Sequence, residues 1–335
     1  MEASRTDRSF REEVLAEPGG ENLYHCYSCG TCASMCLVRR VNPDFNPRQI
    51  LHMVMLDMKE EVLNSPVVWL CSACDLCFPM CPQEIHISEL MKAIRNIAIR
   101  EGVEPPGPFA VVDENLCSGC GMCVSACPYG GIELATESVP GNGHVVARID
   151  KFLCMGCGIC TATCPSEAIR VEGSSREQIA IRMQADGCFA EREIEPKIVV
   201  FICDWCLRAQ DDVARVDQFP SHIRVVHVPC TGQLDPSLVL TALTQGADGV
   251  LVIGCRPGEC HYQRGNLLVR RRIMEVKPLL EALGIGSERL GLEWIPTSQR
   301  GRVERAVEEF TEVIEQLGSS PFNNRPVKLA SPDTA

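Results

Sequence analysis

The stretch CSGCGMCVSACP, Cys117–Pro128, spaces four cysteines as C-x2-C-x2-C-x3-C and ends on proline. The same spacing recurs in CMGCGICTATCP (Cys154–Pro165), CSACDLCFPMCP (Cys71–Pro82) and CYSCGTCASMC (Cys26–Cys36), the last followed by Leu37 instead of proline. Four copies in one chain are far beyond chance. Three cysteines at this step can wrap one corner of a cubane [4Fe–4S] cluster, while the fourth is carried away and ligates the other cluster of a pair. Thiolates are soft ligands that suit iron. Small residues between them let backbone N–H groups approach the cluster sulfurs. Zinc is the competing metal, but zinc sites use two separated C-x2-C knuckles, and a third cysteine at the same step leaves one thiolate too many. Leu37 removes no ligand. It leaves open the turn after Cys36, and Pro43 comes late enough to redirect the chain.

The two later copies lie between short β-branched runs. FAVVDENLCSGC and VVARIDKFLCMGC put strands before their cysteines, and GGIELA and EAIRVE put strands after them. This repeated strand–cluster loop–strand pattern predicts a ferredoxin-like βαβ dicluster module. Crossed ligation assigns Cys117, Cys120, Cys123 and Cys164 to one cluster, and Cys154, Cys157, Cys160 and Cys127 to the other. The two earlier copies sit in helical sequence and predict a helical dicluster module. NPRQILHMVMLDMKEEVLN separates them, with Ile50, Val54, Met55, Met58 and Val62 near helical spacing, Asn46 as N-cap and Pro47 in the first turn. Met53, Met55 and Met58 read as packing residues, not ligands. ISELMKAIRNIAIREG predicts a second helix, with Ser88 as N-cap and Gly102 as its stop. Here crossed ligation assigns Cys26, Cys29, Cys32 and Cys81 to one cluster, and Cys71, Cys74, Cys77 and Cys36 to the other.

In order and interval, YHCYSCGTCASMC, the NPRQIL helix, WLCSACDLCFPMCP and the ISELMKAIR helix resemble the C subunit of heterodisulfide reductase, over residues 10–102. The same helical module occurs in iron–sulfur subunits of succinate, glycolate and glycerol-3-phosphate oxidoreductases. Residues 108–175 look like the dicluster ferredoxin segment of the heterodisulfide reductase A subunit. GVEPPGPFAV reads as the linker between the two modules. A second boundary falls in SSREQIAIRMQADGCFAEREIEPK, a helix running into a charged connector, where Cys188 reads as a spare thiol.

From Lys197 the pattern becomes α/β. KIVVFIC, IRVVHVPC, GVLVIGC and GLEWIP read as strands, and DPSLVLTALTQGA, GNLLVRRRIMEVKPLLEALG and RGRVERAVEEFTEVIEQLG as helices. This predicts a small parallel sheet with helices packed on it. Cys203 with Cys206, Cys230, and Cys255 with Cys260 fall at the carboxyl ends of three strands. Those ends converge in open α/β sheets, so a metal site is expected there. FICDWC, VPCTGQLD and GCRPGECHYQRGN resemble the delta subunit of methyl-viologen-reducing hydrogenase, over residues 195–318. The resemblance implies a [2Fe–2S] cluster that takes electrons from a dehydrogenase and passes them to a flavin subunit. Five cysteines for four positions leave one spare, and the sequence leaves open which. His261 reads as a packing or supporting residue, with a Rieske-like ligand as the alternative. Arg270, Arg271 and Arg272 read as a solvated helix face, or as a docking patch for an acidic partner.

The composition limits what else the chain can be. It holds 22 cysteines in 335 residues, with a charged, non-apolar start and a net charge of −12. No run reaches the roughly 20 apolar residues of a membrane span. A cytoplasmic, thiol-reducing setting is expected, and neither nucleic acid nor an anionic membrane surface is expected as a partner. No G-x-G-x-x-G appears, so neither flavin nor NAD is expected in this chain. No adjacent cysteine pair, Ser–His–Asp set or H-E-x-x-H run marks a substrate-converting site. The expected organisation is multidomain, α+β and α/β. Residues 1–104 form the helical 2×[4Fe–4S] domain and 105–190 the ferredoxin-like domain with its connector. Residues 191–320 form the [2Fe–2S] α/β domain, and 321–335 a tail.

The resemblances together imply an iron–sulfur electron-transfer subunit of a heterodisulfide reductase-like complex, of a kind that can bifurcate electrons at a flavin. They imply four [4Fe–4S] clusters and one [2Fe–2S] cluster. The implied partners are a heterodisulfide reductase A-like flavoprotein, a B-type catalytic subunit, and a hydrogenase or other dehydrogenase. The alternative is the iron–sulfur subunit of a respiratory-type or 2-hydroxy-acid oxidoreductase feeding quinone.

Overall fold

Apolar residues at helical spacing organise the first hundred residues, in a computed structural model that describes residues 8–104, 106–136, 145–184, 196–208, 219–296 and 301–322. Cys188 lies outside the described residues. The chain divides into two units: Met1–Glu172 with Gly258–Arg264, and Gly173–Pro257 with Gly265–Ala335.

Unit 1 begins with α1 (Phe10–Ala16), α2 (Thr31–Met35), α3 (Leu37–Val41), α4 (Pro47–Met55), α5 (Lys59–Leu63) and α6 (Ile87–Arg100). The expected cap of α4 is present: the Asn46 carboxamide oxygen accepts from the Gln49 N–H at 3.4 Å. The long helix expected after it is broken in two. Asp57 takes a left-handed conformation, φ 57°, between α4 and α5, and its carboxylate accepts from the Arg11 N–H at 2.9 Å. Ser88 is not the cap of α6. It lies inside the helix, with His86 at the cap position, and its hydroxyl donates to Asp75. Leu90, Met91, Ile94, Ile97 and Ala98 of α6 are buried with Val14, Leu51, Val54 and Val62. This apolar face packs α1 and α5 against one long helix, and α2, which carries Cys32, packs on α4.

The rest of unit 1 holds β1 (Ala110–Val112), α7 (Met122–Ala126), β2 (Ile132–Thr136), β3 (Val145–Ile149) and β4 (Ile169–Val171). All four expected strands form. They do not make a parallel βαβ unit: β1 pairs with β4 and β2 with β3, both antiparallel. The chain between β1 and β2 wraps cysteines and supplies only the five-residue α7, not a crossover helix. The segment Gly258–Arg264 completes the unit. Gln263 Nε2 donates to the Ala73 carbonyl at 3.4 Å, and Arg264 Nη2 donates to the Ser125 and Ala126 carbonyls at 2.9 and 3.0 Å.

Unit 2 holds α8 (Arg176–Gln184), β5 (Ile198–Cys203), α9 (Asp204–Arg208), β6 (Ile223–Val228), α10 (Pro236–Thr244), β7 (Gly249–Cys255), α11 (Gly265–Ala282), β8 (Leu290–Ile295) and α12 (Arg302–Leu317). The sheet is parallel throughout, in the order β6-β5-β7-β8. β5 and β7 are buried along their whole length, as expected for central strands covered on both faces. Ile179 and Met183 of α8 join this core. The boundary between units therefore precedes α8 and does not follow the connector. Successive strands run from β5 outward to β6, then return past β5 to β7. This makes the carboxyl ends of β5 and β7 the switch point where open α/β sheets hold their ligands.

Candidate metal centres

All four cysteine runs share one backbone device. The residues on either side of the second cysteine have positive φ: Ser28 (58°) and Gly30 (84°), Ala73 (48°) and Asp75 (58°), Gly119 (65°) and Gly121 (73°), Gly156 (62°) and Gly158 (73°). Alternating right- and left-handed residues turn successive N–H groups into one concavity, the nest that receives phosphates and iron–sulfur clusters. In two positions glycine is required for a second reason. A Cβ on Gly119 would lie 2.4 Å from the Val145 carbonyl oxygen, and one on Gly156 would lie 2.5 Å from that of Pro108. At Gly121 the nearest atom would be Leu134 Cδ1, at 3.4 Å. Left-handed φ alone costs an alanine about 1–2 kcal/mol, and Ala73 carries it. Gly119→Ala is therefore expected to lose about four irons per chain, whereas Gly121→Ala keeps them. An iron assay on the two purified variants decides.

The thiols gather with the fourth cysteine exchanged between runs. Cys26, Cys29, Cys32 and Cys81 line one small cavity. Cys127, Cys154, Cys157 and Cys160 line another. Cys117, Cys120, Cys123 and Cys164 line a third. In the remaining set, Cys36 lies within the electrostatic reach of Cys71 and Cys74, and Cys77 within that of Cys71, Cys74 and Cys36. The turn after Cys36 is made by α3 and does not wait for Pro43. Cys36 caps that helix, its sulfur accepting from the Arg39 N–H at 3.4 Å, and Leu37 and Val38 are buried.

Burial pushes the Cys32 and Cys36 thiols up to about 11 and the Cys157 thiol up to about 12. It raises Cys71, Cys74, Cys77, Cys123 and Cys160 as well. Such thiols stay neutral until a cation displaces the proton. Cys29 and Cys120 are exposed. The Thr31 side chain lowers Cys29, and the Met122 backbone N–H lowers Cys120. Backbone N–H groups also reach the sulfurs of Cys154, from Ala110, and Cys117, from Ala147, both at 3.4 Å.

The sets adjoin one another. Cys77 feels Cys32 of the first set, and Cys160 feels Cys123 of the last. Between the two inner sets, the Tyr129 hydroxyl lies 3.0 Å from the Ser72 carbonyl, to which it donates. It lies 3.3 Å from the His261 carbonyl. His261 itself is fully buried.

In unit 2 the Sγ atoms of Cys203, Cys206 and Cys255 all lie within 4.8 Å of one another, and all three residues are buried. The Cys206–Cys255 and Cys203–Cys255 separations are 3.3 and 3.7 Å. Cys203 ends β5 and Cys255 ends β7, so both stand at the switch point, and Cys206 reaches it from α9. Contacts with the Cys203 and Cys255 sulfurs, together with burial, hold the Cys206 thiol well above its usual range. Cys230 and Cys260 are also buried, but neither belongs to this close trio. Cys230 follows β6, and its sulfur accepts from the Gly232 N–H at 3.4 Å. Cys260 lies in Gly258–Arg264, a segment of unit 1. The three arginines separate by role. Arg270 and Arg271 are exposed, and Arg271 pairs with Glu275 at 3.0 Å. Arg272 donates to the Gly232 and Leu234 carbonyls at 2.6 and 3.0 Å, bracing the turn after Cys230. No periodicity could have shown that third role, because it depends on where that turn packs.

Comparison with known proteins divides along the same lines. Residues 198–318 match the family model of the methyl-viologen-reducing hydrogenase delta subunit. Residues 22–85, 70–133 and 116–168 match 4Fe–4S dicluster domains. The match over 70–133 spans two neighbouring copies of the spacing, but Cys81 lines a cavity with Cys26 and Cys127 lines one with Cys154. The chain is 42% identical over 137 residues to the vhc iron-sulfur D subunit of the F420-non-reducing hydrogenase of Methanococcus voltae, covering 95% of that protein and 40% of this chain. It is 42% identical over 132 residues to the iron-sulfur D subunit of the F420-non-reducing hydrogenase of Archaeoglobus profundus, covering 96% of it and 39% of this chain. It is 38% identical over 211 residues to the A subunit of the ferredoxin:CoB-CoM heterodisulfide reductase of Methanosarcina mazei. That alignment takes in 62% of this chain and spans only 25% of the reductase protein.

Proposed function

Because this chain belongs to the methyl-viologen-reducing hydrogenase delta-subunit family, we propose that it conducts electrons between the redox partners of a heterodisulfide reductase-like complex. In this reading it does so through four [4Fe–4S] clusters and one [2Fe–2S] cluster. The observation that supports this most directly is the exchange of fourth cysteines around adjoining cavities. Sets that adjoin in series suit conduction. The ligands are the sixteen cysteines of the four runs, crossed in pairs, and four of Cys203, Cys206, Cys230, Cys255 and Cys260. When bound, each cluster accepts and releases one electron. The chain's own part is to hold the thiolates, donate N–H groups to the sulfurs and set the local dielectric by burial.

The exposed thiols support docking at both ends of the series. Cys29 stands near exposed Tyr27, and Cys120 near exposed Leu116, Met122 and Leu134. The partners we infer are an A-type flavoprotein, a B-type catalytic subunit and a hydrogenase or other dehydrogenase, in the cytoplasm. No helix among the described residues is long and apolar enough to cross a membrane. We read the chain as three modules, the first two divided near residue 104 and the third beginning ahead of α8, with no substrate-converting site of its own.

Anaerobically purified protein should carry about 18 irons per chain, with Mössbauer signals of four cubanes and one two-iron cluster. It should reduce a purified A-type flavoprotein stoichiometrically. A fully occupied chain with about ten irons, or zinc in place of iron, overturns the reading.

A further inference from the structure

Arg95 is a cation in an unusual place. It lies on α6, is only 7% exposed, and sits where the two dicluster modules of unit 1 meet. Its Nε donates to the Val68 carbonyl at 2.9 Å, and its Nη2 donates to the Cys71 carbonyl at 2.8 Å. Nη1 lies 4.0 Å from Met155 Sδ, in the loop of the Cys154 run. The guanidinium carbon stands 5.7 Å from the centre of the Trp69 ring. Among the described residues no aspartate or glutamate pairs with it.

A guanidinium stays charged in proteins, and burying a cation without an anion is costly. Two carbonyls and a ring face compensate only in part. Two ionisable groups act on Arg95: the Cys71 thiol, of the inner set with Cys36, and the Tyr129 phenol, beside Cys127 of the other inner set. Burial keeps the Cys71 thiol protonated until a metal displaces its proton. A cubane with four thiolates is an anion, and one-electron reduction makes it more so. A fixed cation beside it in a low-dielectric interior favours the reduced form.

We propose that Arg95 is the buried counter-cation of the cluster held by Cys36, Cys71, Cys74 and Cys77, and that its charge raises that cluster's reduction potential at the crossing between the two dicluster modules. This rests on the cluster reading given above. The electron arrives from the neighbouring cubane, and no bond forms or breaks. Arg95 is a positioning and tuning residue and is not a ligand. Tyr129, bonded to Ser72 two residues after its own ligand Cys127, marks the same crossing from the ferredoxin-like side.

The test is a redox titration of the anaerobic full-length chain, followed by EPR and poised with dithionite. The relevant signal is the one that Cys74→Ser alters. Arg95→Gln should weaken reduction of that cluster at least tenfold, about 59 mV for one electron, and leave the two outer cubanes unmoved. Arg95→Lys should keep most of the wild-type midpoint. If it falls as far as Arg95→Gln, the effect is hydrogen-bond geometry and not charge, and the proposal fails. Met155→Glu keeps Arg95 and its carbonyl bonds but sets a carboxylate beside the guanidinium. It should lower the same midpoint by at least about 59 mV, a tenfold weakening of reduction, relative to Met155→Gln. If Arg95→Gln loses the cluster, the Met155 pair decides alone: a drop supports the proposal, and equal midpoints overturn it. If Arg95→Gln keeps the cluster with an unchanged midpoint, the proposal is overturned. Wild-type chain with no cubane signals would instead refute the cluster reading itself.

Discussion

Cys36→Ser is expected to remove the cluster held by Cys71, Cys74 and Cys77, about four irons per chain, and to leave the one held by Cys26, Cys29 and Cys32. Adjacency in sequence predicts the reverse. Cys36 is ten residues from Cys26 and 35 from Cys71, yet the thiols whose charge acts on it are those of Cys71 and Cys74. The same holds at the other end of the pair, where Cys81 lines the cavity of Cys26. Serine offers a harder, less acidic ligand, so a four-thiolate site that gains one loses its cluster or is visibly altered. The discriminating comparison is between Cys36→Ser and Cys26→Ser. The two variants must lose different EPR signals. If both lose the same one, the ligands are not exchanged.

Cys206→Ser is expected to abolish the two-iron spectrum completely while the cubane signals persist, and Cys203→Ser and Cys255→Ser should do the same. These three sulfurs already lie within 4.8 Å of one another, and all three residues are buried. Of Cys230→Ser and Cys260→Ser, one should abolish the spectrum and the other retain it. Absorption and EPR spectra of the five variants, each in the full-length chain, settle the fourth ligand. A two-iron spectrum that survives Cys206→Ser would remove the switch-point site from the proposed route.

What could be read in the sequence, and what could not, follows from the range of the interactions. The cysteine spacing is local, so the four runs and their strands or helices were legible as text. The alternation of strands and helices after Lys197 likewise gave the parallel sheet, because crossover connections constrain topology. The break at Asp57 was not legible, because it depends on Arg11, 46 residues earlier, donating to its carboxylate. Ser88 looked like a cap by position, but its hydroxyl had a better acceptor in Asp75. The five C-terminal cysteines looked equivalent because all follow strand ends. β5 lies between β6 and β7, and what separates these cysteines is reach: Cys203 and Cys255 end their strands, whereas Cys230 lies two residues beyond β6 in a turn of its own. Arg95 reads as one charge on an amphipathic helix. Its burial depends on a neighbour, Met155, 60 residues away.

The segment Gly258–Arg264 has a consequence for biogenesis. It belongs to unit 1, yet it is encoded within the sequence of unit 2. A nascent chain therefore finishes the cysteine runs, from Cys26 to Cys164, long before Gln263 and Arg264 leave the ribosome. Until then the carbonyls of Ala73, Ser125 and Ala126 lack the donors that later cover them. Those carbonyls flank the cysteines of three of the four cluster sets. Unit 1 therefore completes this hydrogen bonding only after residues 173–257 of unit 2 have been synthesised.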